Sequence, residues 1–126
     1  MTLVLDAGAL LALEKNDKAM WLRIKSAHQA GAPPVTHGGV VGQAWRSGGP
    51  RQARLAMALD FIDVRPLDAE LGRRAGALLA KARTSDVIDA ALVLLAEDGD
   101  EIITSDPDDL SPLASHAAPA AGLSPA

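Results

Sequence analysis

The sequence contains no cysteine, no tyrosine, one phenylalanine and two tryptophans. Without cysteine there is no disulfide framework and no thiolate metal site. With so few aromatics, the core of this 126-residue chain must be built from Leu, Val, Ile and Ala. No stretch approaches the ~18 consecutive apolar residues that mark a membrane span. The N-terminus, MTLVLDAG, lacks the basic and long apolar segments of a secretion signal, and Asp6 interrupts it early. These absences point to a soluble cytoplasmic protein, and the length points to a single domain. A further absence carries more: no Lys or Arg follows Arg83. Residues 1–83 hold 12 basic against 7 acidic side chains, a balance of +5, and residues 84–126 hold none against 9, a balance of −9. That split does not suit a uniformly basic surface that coats nucleic acid. It leaves room for an acidic pocket with a basic rim.

What is present alternates between strand and helix. TLVLD (residues 2–6) reads as a buried strand and AGALLALEKN as a short helix. DKAMWLRIKSAHQAG reads as a helix capped by Asp17 and stopped by Gly31. APPVTH is a brief strand, GGVVGQAWRSGG a helix bracketed by glycines, and PRQARLAMALD a helix with Pro50 at its first position. FIDVRPL alternates as a strand does, and DAELGRRAGALLAKA is a helix with Asp68 as its N-cap. SDVIDAALVLLAED is a helix ended by Gly99, EIITS a strand, and DPDDLSPLASH a last short helix. The domain therefore spans residues 1–116, and residues 117–126, rich in Ala and Pro, form a loose tail. The alternation predicts an α/β domain with a largely parallel sheet. In such sheets sites form outside the carboxyl ends of the strands. Asp6 and Asp106 end the first and last predicted strands.

Asp89 is the most informative residue. Its helix runs VIDAALVLLA, apolar on nearly every face, so the helix is expected to be largely buried, and no basic residue stands three or four positions from Asp89. Asp86 stands at i−3, on the same face. A carboxylate near a low-dielectric core must be paired, protonated or metal-bound. An arginine from elsewhere or a divalent cation could balance the pair. Oxygen ligands without cysteine suit Mg²⁺ or Mn²⁺ rather than Zn²⁺. A structural role competes with ligation at three positions. Asp106 precedes Pro107 and suits an N-cap, Asp86 suits a first helical turn, and Asp6 suits the cap of the helix after its strand. Asp108 and Asp109 read as surface charges of a first turn, and Glu97, Asp98, Asp100 and Glu101 as a solvated turn. His28, His37 and His116 show no ligand spacing and read as structural or surface residues. A receiver-like phosphoacceptor domain would need an Asp pair after the first strand and a Lys after the last, and no Lys lies beyond Lys81.

The order of three segments, VLDAGALLAL, SDVIDAALVLLA and IITSDPDDL, resembles the PIN domains, and among them the VapC-type toxins of bacterial type II toxin–antitoxin modules. The resemblance runs from Thr2 to about Leu113. It implies a three-layer α/β/α fold with a largely parallel sheet and a Mg²⁺- or Mn²⁺-dependent endoribonuclease activity. Carried onto this chain, Asp6, Asp89 and Asp106 are the catalytic carboxylates, and Asp6, Asp86, Asp89 and Asp106 hold the metal. Asp108 is a possible auxiliary ligand. The Glu that PIN domains usually carry after the second strand is replaced by Gln43, which keeps a carbonyl oxygen and loses a charge. The resemblance also implies an RNA substrate, a cognate antitoxin of the VapB type and a homodimer. Arg46, Arg51 and Arg54 are the expected contacts to the RNA backbone. The alternative implied by Gln43 is a degenerate PIN module that binds RNA or protein without cleaving it.

Overall fold

The computed structural model describes residues 1–117 and 120–126. The chain order is β1 (Leu3–Leu5), α1 (Ala7–Glu14), α2 (Lys18–Gln29), β2 (Val35–His37), α3 (Gly38–Ala44), α4 (Gly49–Leu59) and β3 (Asp63–Arg65). It continues with α5 (Ala69–Ala82), α6 (Val87–Leu94), β4 (Glu101–Thr104), α7 (Pro107–Ala117) and β5 (Gly122–Pro125). All strand pairs are parallel, in the order β3-β2-β1-β4-β5. Helices α2, α3 and α4 pack with α1, while α5, α6 and α7 pack with one another, which gives the three-layer α/β/α arrangement.

The central strands are short and apolar because helices cover both of their faces. Val4, Leu5, Ile102 and Ile103 are fully buried, each contributing roughly 1.5–3 kcal/mol of apolar burial. Val4 lies beside Val35 on one side and Ile102 on the other. The core is aliphatic, as composition requires. Two of the three Phe and Trp side chains meet at its margin, where Trp21 and His28 both pack edge-on against Phe61. The predicted caps form: Asp17 accepts from the Met20 N–H at 3.1 Å, and Asp68 from the Leu71 N–H at 2.9 Å.

Three expectations are corrected. The tail is not loose over 122–125: these residues form β5, whose register aligns Glu101 with Gly122 and Thr104 with Pro125. An edge position tolerates Pro125, because one side of an edge strand needs no partner. The Ser124 hydroxyl also donates to the Glu101 carboxylate. Ala117 belongs to α7, and Ala118 and Pro119 lie outside the described residues. Helix α6 stops at Leu94, before Gly99, and the chain turns through Glu97–Asp100 into β4. In that turn Asp100 is not a solvated charge. It is buried and accepts from the Thr2 N–H at 2.8 Å and the Glu97 N–H at 2.9 Å, so it fastens the start of β1 to the start of β4.

Candidate functional site

Strands β1 and β4 are neighbours, so the residues that follow them emerge at one edge. Asp6 follows β1 and is buried. Its carboxylate has two structural duties. One oxygen accepts from the Ala9 N–H at 2.9 Å and caps α1, and the other accepts from the Ser105 N–H at 3.2 Å. Asp6 thereby ties the end of β4 to the start of α1. Gly8 makes this junction possible, since a Cβ there would stand 2.6 Å from the Ser105 Cβ. The Asp106 N–H is held by the Thr104 hydroxyl at 2.8 Å, and the Asp106 carbonyl accepts from Asp109 and Leu110 to begin α7. The capping expected of the Asp106 side chain is not observed among the described residues.

The opposite wall comes from α6 and α3. Asp86 is exposed and caps α6 by accepting from the Asp89 N–H at 3.0 Å. Asp89 is half-buried. The fully buried part of α6 is Ala90–Val93, and Asp89 lies where the helix emerges from the core. Gln43, on α3, is exposed toward the same space. Asp6, Gln43, Asp86, Asp89, Asp106 and Asp109 thus line one cleft of about 260 Å³, together with Gly8 and Ser105. Of the two auxiliary candidates, Gln43 faces the cleft and Asp108 does not; Asp109 takes the place expected of Asp108. The reason is helical geometry: Asp109 stands at i+3 from Asp106, on the same face, and Asp108 is turned away from it.

Among the described residues, no Lys or Arg lines this cleft. Among the described residues the ion pairs lie elsewhere, Arg51 with Glu14 and Arg65 with Asp63. The electrostatic consequence falls on Asp89, whose carboxyl is pushed up to about 6. Burial is the main cause, followed by the charges of Asp86, Asp109, Asp6 and Asp106. As the side chains stand, no three of the described His, Asp or Glu residues form a preassembled metal cage. The donor set nevertheless fits a hard divalent cation: five carboxylates and one amide oxygen, all oxygen, with no cationic side chain among them.

The three arginines are dispersed. Arg46 folds back on the end of α3, donating to the carbonyls of Gly42 and Trp45. Arg51 pairs with Glu14 at 3.7 Å. Arg54 lines a separate groove of about 540 Å³ between α2 and α4, together with Lys18, Trp21, Leu22, Lys25 and Met57. None of the three lines the acidic cleft.

If the cleft holds a divalent cation, Gln43→Glu should tighten Mn²⁺ binding, because it adds a charged oxygen donor to the cleft wall. Calorimetry checks this, and equal or weaker affinity would show that Gln43 faces the cleft without reaching a bound ion. No protein-family model matches the chain, and no curated protein matches it.

Proposed function

We propose that this chain is a Mg²⁺- or Mn²⁺-dependent endoribonuclease of the PIN kind, acting as the toxin of a type II toxin–antitoxin module. One observation carries the reading: carboxylates from three separate chain segments, at Asp6, at Asp86 and Asp89, and at Asp106 and Asp109, meet in one cleft without a basic partner. Asp6, Asp86, Asp89, Asp106 and Asp109 would hold the cation, and the Gln43 carbonyl would ligate it or fix one of its waters. A bound cation supplies Lewis-acid polarisation of the phosphate and an acidified water. The chain's own contributions are ligand placement and a site that repels a bare phosphodiester until its charge is compensated. No side chain is asked to act as a covalent nucleophile.

For the RNA backbone, Arg46 is the best placed of the three arginines by chain position, three residues beyond Gln43. The antitoxin is the proposed occupant of the groove between α2 and α4. Leu22 and Met57 are exposed there at 67% and 59%, and Lys25 lies over the Trp21 ring at 5.3 Å. Apolar walls flanked by Lys18, Lys25 and Arg54 suit an acidic amphipathic segment. None of the helices among the described residues is long and apolar enough to cross a membrane. A homodimer and a cytoplasmic location are part of the same proposal.

The test uses the full chain on structured RNAs with Mn²⁺, with Mg²⁺ and with EDTA. Cleavage in either metal and none in EDTA is the expected result. Gln43 gives a second reading its one specific support, since the lost charge weakens the cleft as a metal site. RNA retention without cleavage, at saturating Mn²⁺, would establish that second reading, a binding module.

A further inference from the structure

His37 is fully buried at the end of β2, and the proposed chemistry does not use it. It occupies the N-cap of α3, a position where Ser, Thr, Asp and Asn are the usual residues. Its Nδ1 accepts from the Gly39 N–H at 3.1 Å, and its Nε2 lies 2.9 Å from the Ile88 carbonyl oxygen. A backbone N–H can only donate and a carbonyl can only accept. The ring is therefore neutral, with its proton on Nε2. Burial acts in the same direction by lowering the imidazole pKa, although the Ile88 bond opposes it.

A shorter cap would satisfy Gly39 equally well. What the imidazole adds is reach, from the first turn of α3 to the first turn of α6. The packing around it leaves no slack. A Cβ on Gly39 would stand 2.5 Å from the Ile88 Cδ1 and 2.9 Å from the His37 Cε1. The two helices joined in this way carry the whole wall of the cleft opposite Asp6. Gln43 lies on α3 one turn beyond Gly39, and Asp86 and Asp89 flank Ile88.

We propose that His37 is a positioning residue, a neutral imidazole strut between α3 and α6 that sets Gln43 against the Asp86–Asp89 pair. Its consequence for metal affinity rests on the nuclease reading; the strut itself does not.

Two substitutions split the ring's bonds. His37→Asn puts an amide oxygen near the place of Nδ1 and keeps the cap, but cannot reach Ile88. His37→Gln extends an amide N–H toward Ile88 and gives up the cap. Each is made in the full chain and measured three ways: melting in EDTA, Mn²⁺ affinity by calorimetry at 25 °C, and hydrogen exchange of the Asp89 amide in EDTA. His37→Asn should lose about 10- to 100-fold in Mn²⁺ affinity, as removal of a group that orients metal ligands does, while His37→Gln stays within about threefold of wild type. Exchange at Asp89 should quicken about tenfold in His37→Asn and stay unchanged in His37→Gln, because only the former frees the α6 turn. Wild-type affinity in His37→Asn would overturn the proposal. So would equal losses in both variants that follow their melting temperatures, the mark of a merely structural residue. If wild type itself binds no Mn²⁺, the nuclease reading fails, and Asp89 exchange alone decides the strut: faster in His37→Asn only upholds it, and equal rates overturn it. If His37→Asn does not fold, a folded His37→Gln that loses more than about tenfold in affinity overturns the proposal, and one that keeps it within about threefold upholds it.

Discussion

Asp89→Asn should lose RNA cleavage in Mn²⁺ by more than about 100-fold, since several kcal/mol of transition-state stabilisation depend on the ion it would help to hold. In EDTA the same variant should be more stable than wild type at pH 7.5. The Asp89 carboxyl is raised to about 6 by burial and by four neighbouring carboxylates, so ionising it in the folded protein is unfavourable. A folded pKa above the unfolded value means that the folded state binds the extra proton. Stability is then full below pH ~4 and declines as pH rises through about 6. Asn carries no charge and escapes the decline. Allowing for its partial exposure, we expect a gain of about 1–2 kcal/mol above pH 7 that vanishes near pH 4. Thermal melting of both proteins across that range measures it. A variant that melts well below wild type in EDTA at pH 7.5 would mean that the carboxylate holds the fold, and the cleft would lose its central ligand.

Asp6→Ala should behave in the opposite way, although both residues line the cleft. The Asp6 carboxylate accepts the N–H groups of Ala9 and Ser105 in a buried position. Removing it uncaps α1 and strands a donor at the end of β4, a loss of about 2–4 kcal/mol in EDTA. Asp6→Asn keeps one amide oxygen and should fall between wild type and Asp6→Ala. Urea denaturation at pH 7 reads all three. Equal midpoints for wild type and Asp6→Ala would show that neither bond persists in solution. Cleavage should be lost in both variants, so only stability separates a residue that builds the cleft from one that merely faces it.

The sequence pattern reached the layered α/β class because strands and helices alternate with separate caps. Asp17 and Asp68 were readable as caps from their place before apolar runs, whereas Asp86, read as a first-turn residue, is itself the N-cap of α6. The cleft was legible through two strand ends and one helix start, which parallel topology brings to the same edge. Other features depend on tertiary partners and left no local signal. GLSP has neither β-branched residues nor alternation, and it becomes β5 only through pairing with β4. Asp100 sits among four acidic residues of a turn, and only the approach of Thr2 makes it a buried acceptor. Asp109 could have been preferred to Asp108 by counting three positions from Asp106. His37 had no such clue, because Ile88 lies 51 residues away.

The pairing of β1 with β4 brings together segments about 98 residues apart, with Leu3 opposite Glu101 and Leu5 opposite Ile103. Contacts of such long sequence separation are slow to form, because loop closure must precede any gain from pairing. On a ribosome the first strand therefore waits, unpaired along one side, until β4 has been synthesised. The Asp6–Ser105 bond cannot form earlier, and neither can the cleft. A nascent chain short of Ser105 holds Asp6, Asp86 and Asp89 but lacks the Ser105 N–H that fixes Asp6 and the Asp106 and Asp109 side of the cleft. Whatever chemistry the cleft performs thus begins only after β4 and the start of α7 have been synthesised, and a chain that stalls before β4 cannot close the cleft.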